Sequence, residues 1–390
     1  MRIMFSFVGG NGHFQPLVPI ADAVKSAGHT LVVACSRSMR PVVYEAGFPT
    51  LMLGKSKPAK MKVERIPLRP LSIEREEQDL RENFARHGAK ARIPDMIAAC
   101  KAWKPDIIVC DEVDFGSMIT ADHLGIPHVS VVVIASGSFI RPDVVAEPLN
   151  ELRLEYGLPL DPDLLMLSRY LVLMPVPPSF RNPAFPLPST AHPIQPFSRQ
   201  DAVPSLSIMG HNPSLPTIYF TLGTVFNTES GDLFSRVLTG LRDVHANVIV
   251  TVGHQIDPAE FGPQPDHIHI AQYIPQLNLL PHCDLVISHG GSGTVIATLA
   301  HGLPMVLLPM GADQIHNAER CQALGAARVL NPLDSSPEIV REAVRSVLDL
   351  SKYRASAQRI QSEIGTLPEP IYAVSLLEHL GETKQPVLHH

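Results

Sequence analysis

Short buried strands alternate with helical stretches, stop at a proline-rich segment, and then alternate again, and this doubled pattern restricts the fold more than any other feature. Arg2 to Val8 reads as an apolar strand and Gly9-Gly10-Asn11-Gly12 as a breaker cluster. Pro16 to Ala27 then carries Leu17, Ile20, Ala21 and Val24 at helical spacing and stops at Gly28. Leu31 to Cys35, Asp106 to Cys110 and His128 to Ile134 are further buried strands, with a helical stretch Met118 to Leu124 between the last two. Strands that are apolar throughout predict a parallel sheet covered by helices on both faces. From Met174 to Pro216 eleven of the 37 prolines accumulate and no helical period survives, which places a domain boundary there. Beyond it come strand Thr217 to Leu222, helix Leu233 to Val244, strand Asn247 to Val252 and strand Asp284 to Ser288. Helix Thr294 to Ala300, strand Pro304 to Leu308 and helix Gln314 to Leu324 follow.

The expected architecture is α/β, with two Rossmann-like, doubly wound domains facing each other across a cleft. The first spans 1–200 and the second 217–365, with a proline-rich linker at 201–216 and a C-terminal segment 366–390 packing back on the first domain. Ligands of such sheets bind outside the carboxyl ends of the strands, so the cleft is the expected site.

Composition narrows the function. A chain of 390 residues suits two ordinary cores, and 45% hydrophobic with 18% charged residues excludes a disordered chain. Net charge is −6, from 32 basic and 38 acidic residues without a block of one sign, so no nucleic-acid partner is expected. No apolar run approaches the roughly 18 residues of a membrane span. The first apolar run is short and meets glycines where a signal peptase site would lie, so a cytoplasmic protein is expected. Cys35, Cys100, Cys110, Cys283 and Cys321 form no Cys-x-x-Cys pair and lie in apolar stretches, as reduced core thiols do. His389 and His390 have the look of a tag remnant. The charged stretch Lys55 to Ala91 reads either as a solvated helical excursion or as a lid that touches an acceptor.

Several residues are placed for chemistry. His13 stands at the carboxyl end of the first strand beside glycines, where a loop-borne imidazole can act as a general base. Asp111 ends another strand of the same domain and is the first choice, ahead of Glu112 and Asp114, for the carboxylate that orients it. Ser288-His289-Gly290-Gly291-Ser292-Gly293-Thr294 joins a buried strand to a helix, and free amides there with the helix dipole make an anion site. It lacks a P-loop lysine and does not fit Gly-x-Gly-x-x-Gly, while His289 can hold phosphate by a charge-assisted bond. Asp313 and Gln314, with Asn317 one turn on, are equipped to read sugar hydroxyls, although Asp313 also suits a helix cap. Tyr273-Ile274-Pro275-Gln276 can hold a nucleobase, and Thr221-Leu222-Gly223-Thr224 is a hydroxyl-bearing loop. Asp161-Pro162-Asp163 lies in a proline-rich turn and reads as a helix start, and no metal site is expected.

Taken together, Gly12-His13-Phe14-Gln15-Pro16-Leu17, Asp111, Tyr273 to Gln276, His289 to Thr294 and Asp313-Gln314 resemble glycosyltransferase family 1 of the GT-B fold. The bacterial branch that decorates antibiotics and macrolides is the nearest in style, although plant members carry Trp where Tyr273 stands. The resemblance implies inverting, metal-independent transfer from a dTDP- or UDP-linked sugar to a small natural-product acceptor, a polyketide- or macrolide-like aglycone. His13 would be the base and Asp111 its orienting partner. Gly12, Thr224, Tyr273, Ile274, Gln276, His289, Gly291, Ser292, Gly293, Thr294, Asp313 and Gln314 would bind the donor, which is a co-substrate, so no cofactor is implied. A homodimer is compatible with this family. The rivals are another GT-B enzyme of sugar nucleotides, acting on lipid-linked glycans or as an epimerase, and a silent nucleotide-binding auxiliary protein. A nicotinamide dehydrogenase fits less well, because the glycine spacing is wrong.

Overall fold

The structure, a computed structural model, describes residues 1–54, 65–198 and 212–389. The chain divides into two compact units, one of Met1–Pro58, Glu74–Ser198 and Thr366–His390, the other of Ala59–Ile73 and Arg199–Gly365. The expected linker lies outside the described residues up to position 211. Residues 65–73 belong to the second unit, where Ile66 N–H donates to the Thr228 carbonyl and Gly231 N–H to the Ile66 carbonyl.

The first unit is built on strands β1 (Arg2–Ser6), β2 (Thr30–Ser36), β3 (Thr50–Leu53), β4 (Ile107–Asp111), β5 (His128–Val131), β6 (Leu171–Met174) and β7 (Ala191–Pro193). They lie in the order β3-β2-β1-β4-β5-β6-β7, all parallel, with Ser6 opposite Cys110 across the central pair. Every residue of β4 is buried, because helices cover both faces, and that is why the strand is apolar up to its last residue, Asp111. The order in which strands are added reverses between β1 and β4, and the carboxyl ends there are where a doubly wound sheet binds its ligand.

The second unit has β8 (Thr217–Thr221), β9 (Asn247–Thr251), β10 (Ile268–Ala271), β11 (Leu285–Ser288), β12 (Met305–Leu307) and β13 (Ala327–Val329), in the order β10-β9-β8-β11-β12-β13 and again all parallel. Its switch point falls between β8 and β11. Ile218, Phe220, Val248, Val250 and Ile287 pack there against Phe234, Val237 and Val340 of the covering helices.

The helix Tyr372–Thr383 belongs to the first unit and buries Ala373, Val374, Leu376, Leu377 and Leu380. It packs on the helix Val18–Ser26, with Glu378 3.1 Å from His29 Nε2 and Gly381 close against Met1. All five cysteines are free and buried. Among the described residues no helix is long and apolar enough to cross a membrane.

Three expectations need correction, and a fourth gains detail. The helical course after β1 begins at Asn11–Phe14, not Pro16, so His13 sits on a helical turn and not in a loop; Gly10 in extended conformation caps the turn and Pro16 starts the next. β5 ends at Val131, not Ile134, because Glu112 Oε1 takes the Val133 and Ile134 N–H groups at 2.7 and 2.6 Å and draws them out of the ladder. The proline-rich stretch contains β7, an edge strand that tolerates Pro193. In the charged stretch, positions 55–64 lie outside the described residues, 65–72 form neither helix nor strand, and from Ile73 on the chain forms one helical run, Ile73–Asp79, π-turns Leu80–Gly88 and Ala89–Trp103, as the helical reading has it. Leu80 and Ala85 are buried beneath it, and Arg81 and Arg86 bind Glu147 at 2.5 and 2.7 Å on its solvated side.

Candidate active site

At the switch point of the first sheet, His13 follows β1 and Asp111 closes β4, and the parallel register brings them together. His13 Nδ1 lies 3.5 Å from Asp111 Oδ2, with the imidazole 26% exposed and the carboxylate fully buried. Asp111 is fixed by Val8 N–H, which donates to Oδ2, and Val113 N–H, which donates to Oδ1, each at 2.8 Å. The rival carboxylates have other duties. Asp114 caps the helix Phe115–Leu124 through Ser117 N–H, and Glu112 holds the segment after β5. Gly9 lets the imidazole lie close: at φ +75°, its Cβ would stand 3.0 Å from His13 Cδ2. A Cβ at Gly12 would meet nothing within 4 Å, so packing does not require glycine there.

Burial pushes the Glu112 carboxyl up to about 7, against the opposing pull of the Ile134 and Val133 amides and of Arg181. The folded chain therefore holds this proton more tightly than the unfolded chain. Stability from this group is complete below the ordinary 4.5 and is lost as pH rises through about 7. Glu112→Gln keeps an acceptor for both amides and cannot ionise. Urea unfolding at about pH 5 and about pH 8 should therefore show a smaller loss in the variant than in the parent, and equal losses would refute the assignment.

At the switch point of the second sheet, Gly223 follows β8 and His289 follows β11. The His289 ring is buried in a slot between two glycines: a Cβ would fall 2.7 Å from its Cε1 and Nε2 at Gly223 and 2.6 Å from Nε2 at Gly291. Burial pushes the imidazole down to about 4, so it is neutral near pH 7 and offers a neutral N–H. Its Nδ1 is buried without a hydrogen-bond partner among the described residues. The helix Ser292–Ala300 starts from Gly291 in extended conformation, with no side-chain cap bond, so its N-terminal end carries the positive pole of the helix dipole. A Cβ at Gly293 would meet nothing within 4 Å, so space is open over that end.

Asp313 and Gln314 are not two free readers of hydroxyls. Asp313 Oδ2 accepts from Ser292 Oγ at 2.6 Å and from Asn317 Nδ2 at 2.7 Å. Gln314 is 1% exposed, and its Oε1 takes the Met310 and Gly311 N–H groups at 2.8 and 3.3 Å, so its carbonyl braces its own loop. Asn317, also buried, donates to the Gly290 carbonyl and to Ser292 Oγ at 3.0 Å each and so ties the two loops together. Thr224 is exposed on the turn after Gly223. Tyr273 is 51% exposed and stacks on His254, centroids 5.2 Å apart, with Ile274 half-buried beside it. Gln276 opens the helix Gln276–Leu279 and buries its Nε2 without a partner among the described residues. Sequence reasoning missed His254, Gly9 and the tie made by Asn317. A glycine's close neighbour or a loop histidine's stacking partner leaves no sequence signal. Asp161 accepts the Leu165 and Met166 amides, as a helix-start residue does. Among the described residues no group of three or more His, Cys, Asp or Glu side chains is placed to hold a metal ion.

Comparison with known proteins establishes the family and the fold. Residues 22–182 match the family "Erythromycin biosynthesis protein CIII-like, N-terminal domain", and residues 235–380 match the C-terminal domain of the same family. An L-demethylnoviosyl transferase of Streptomyces niveus is 28% identical over 95% of this chain and 96% of its own. A 3-alpha-mycarosylerythronolide B desosaminyl transferase of Saccharopolyspora erythraea is 26% identical over 98% of each. Among solved structures, the spinosyn rhamnosyltransferase SpnG complexed with spinosyn aglycone superposes with a TM-score of 0.81 at 24% identity, over 97% of this chain and 100% of that one. SpnG complexed with thymidine diphosphate superposes at 0.80 over the same shares, also at 24% identity. Two α/β units with parallel sheets, an imidazole–carboxylate pair and a buried histidine between two glycines thus accompany family matches over both halves, and the chain belongs to the EryCIII-like family of GT-B antibiotic glycosyltransferases.

Proposed function

We propose that the chain transfers a sugar from a dTDP- or UDP-linked donor to a hydroxyl of a polyketide- or macrolide-like aglycone, with inversion and without a metal. The observation that carries this proposal is the His13–Asp111 pair at the switch point of the first sheet. His13 Nδ1–H faces the carboxylate, which leaves Nε2 to take the acceptor's proton. The acceptor oxygen bonds to the anomeric carbon while the bond from that carbon to the β-phosphate oxygen breaks. The electron pair leaves with the nucleoside diphosphate, and the proton stays on His13, whose new charge Asp111 offsets.

The leaving diphosphate's charge is met by the amides of Ser292, Gly293 and Thr294 and by the neutral His289 N–H. His289 Nδ1, buried and unpartnered among the described residues, supports a ligand at this place. Tyr273, exposed and backed by His254, offers a face for the base, with Ile274 and Gln276 beside it and Thr224 toward phosphate. Asp313 faces the donor sugar, while Gln314 holds the loop. The relatives' names, which record transfer of noviosyl and desosaminyl sugars, support a deoxysugar donor and an aglycone acceptor.

Thermal unfolding with thymidine diphosphate and uridine diphosphate, in buffer with excess chelator, tests this. A nucleotide at about 100 times its Kd should add about 2.7 kcal/mol of stability. No shift with either nucleotide, or a shift that needs added divalent cation, would overturn the site or its metal independence respectively.

A further inference from the structure

Arg92 lies outside every motif discussed so far, yet its guanidinium is the charged group wired most directly to the base pair. It comes from the helix Ala89–Trp103, is 11% exposed, and its Nε meets Asp114 Oδ1 at 2.8 Å. Its Nη2 donates to Ser6 Oγ and to the Phe7 carbonyl at 2.8 Å each, with the Ala34 carbonyl at 3.4 Å. Ser6 Oγ in turn donates to Asp114 Oδ2 at 2.7 Å. A helix–sheet tie alone is complete with Asp114; the bond to the Phe7 carbonyl does something more.

That carbonyl and the Val8 N–H belong to one trans peptide, so they point to opposite sides of it. Arg92 grips the oxygen side, and the N–H side donates to Asp111 Oδ2, the oxygen that faces His13. A cation on a peptide oxygen also polarises the amide and strengthens the bond its N–H makes. We propose that Arg92 is a positioning residue for the His13–Asp111 pair, acting through the Phe7–Val8 peptide, which it orients and polarises. In its catalytic sense this rests on His13 being the base.

Removing Arg92 alone strands a buried carboxylate, so the test pairs Arg92→Met with Asp114→Asn, which keeps a capping oxygen for Ser117 and leaves no unpaired charge. The double variant should fold, bind thymidine diphosphate within about twofold of the parent, and lose about 10²-fold in kcat, the scale of a misplacement of about 1 Å. Asp114→Asn alone keeps the Phe7 contact and should stay near the parent. Arg92→Lys, which keeps the charge without the fork, should fall between. The His13 titration, followed by its ring-proton resonance in the unliganded chain, should move upward in the double variant, because a less polarised Val8 N–H leaves Oδ2 a stronger acceptor. An unchanged kcat with an unmoved titration overturns the proposal, as does a kcat loss fully reproduced by Asp114→Asn. A fully active His13→Ala would instead overturn the base assignment, and the titration would still report whether Arg92 reaches the pair.

Discussion

Alanine in place of His13 lowers kcat by about 10²–10⁴-fold, the usual contribution of a positioned general base, and leaves the dissociation constant for thymidine diphosphate within about twofold. The two effects should separate because the imidazole belongs to the first unit and the proposed diphosphate site, at the helix Ser292–Ala300, to the second. The fold should tolerate the change, since the imidazole is partly exposed and a methyl group on the helical turn Asn11–Phe14 meets no steric demand. Calorimetry of nucleotide binding beside turnover of donor and aglycone reads both. Full turnover in the variant removes His13 from the reaction, and loss of nucleotide binding shows that it does not act on the acceptor alone.

The slot around His289 yields the second large effect. Gly223 has φ +75°, and a methyl group there would stand 2.7 Å from the buried ring. Alanine should destabilise by about 1–2 kcal/mol for the left-handed backbone and a further 1–3 kcal/mol or so for overpacking against a ring with nowhere to go. Diphosphate binding should weaken as well, because the ring must shift. In a His289→Ala background the overpacking disappears and only the backbone share remains, so a double-mutant cycle isolates the contact. His289→Ala alone removes a donor to a charged ligand and should weaken nucleotide binding by about 1.5–3 kcal/mol. With its imidazole held near 4, His289 should add no pH dependence to that affinity between about pH 6 and 8. An additive cycle, or a nucleotide affinity indifferent to His289, would show that the ring does not fill the slot as a ligand.

The strand–helix alternation was legible because strands buried on both faces must be largely apolar, as β1, β4 and β11 are. The strands not named from sequence, β3, β6, β7, β10 and β13, hold three or four residues each, and all but β6 expose part of their length, with His269 and Arg328 breaking the apolar runs of β10 and β13. His13 and Asp111 were legible as a pair because consecutive carboxyl ends in a parallel sheet share an edge. What remained hidden depends on side chains reaching across the fold. Glu112 takes two amides that the run His128 to Ile134 offered to a strand, and Gln314, polar beside Asp313, turns its carbonyl inward to its own loop. Arg92 follows directly on the charged stretch and carries no sequence signal of its own, and only the packed helix shows it bound to the Phe7 carbonyl after β1. The neutral state of His289 follows from burial between two glycines that are far apart in sequence.

The helix Tyr372–Thr383 completes a unit whose first strand was made some 370 residues earlier, while most of the other unit is one uninterrupted stretch. On a ribosome releasing about 5–20 residues each second, the apolar faces of Val18–Ser26 and β6 therefore wait for their cover until the whole stretch Arg199–Gly365 of the other unit has been made. The five side chains that arrive last are each worth about 1.5–3 kcal/mol if large and fully buried, enough for a deletion beyond Gly365 to leave a sticky nascent lobe beside a lobe already closed. Heterologous yield should consequently respond more to changes in the final twenty or so residues than their distance from the chemistry suggests.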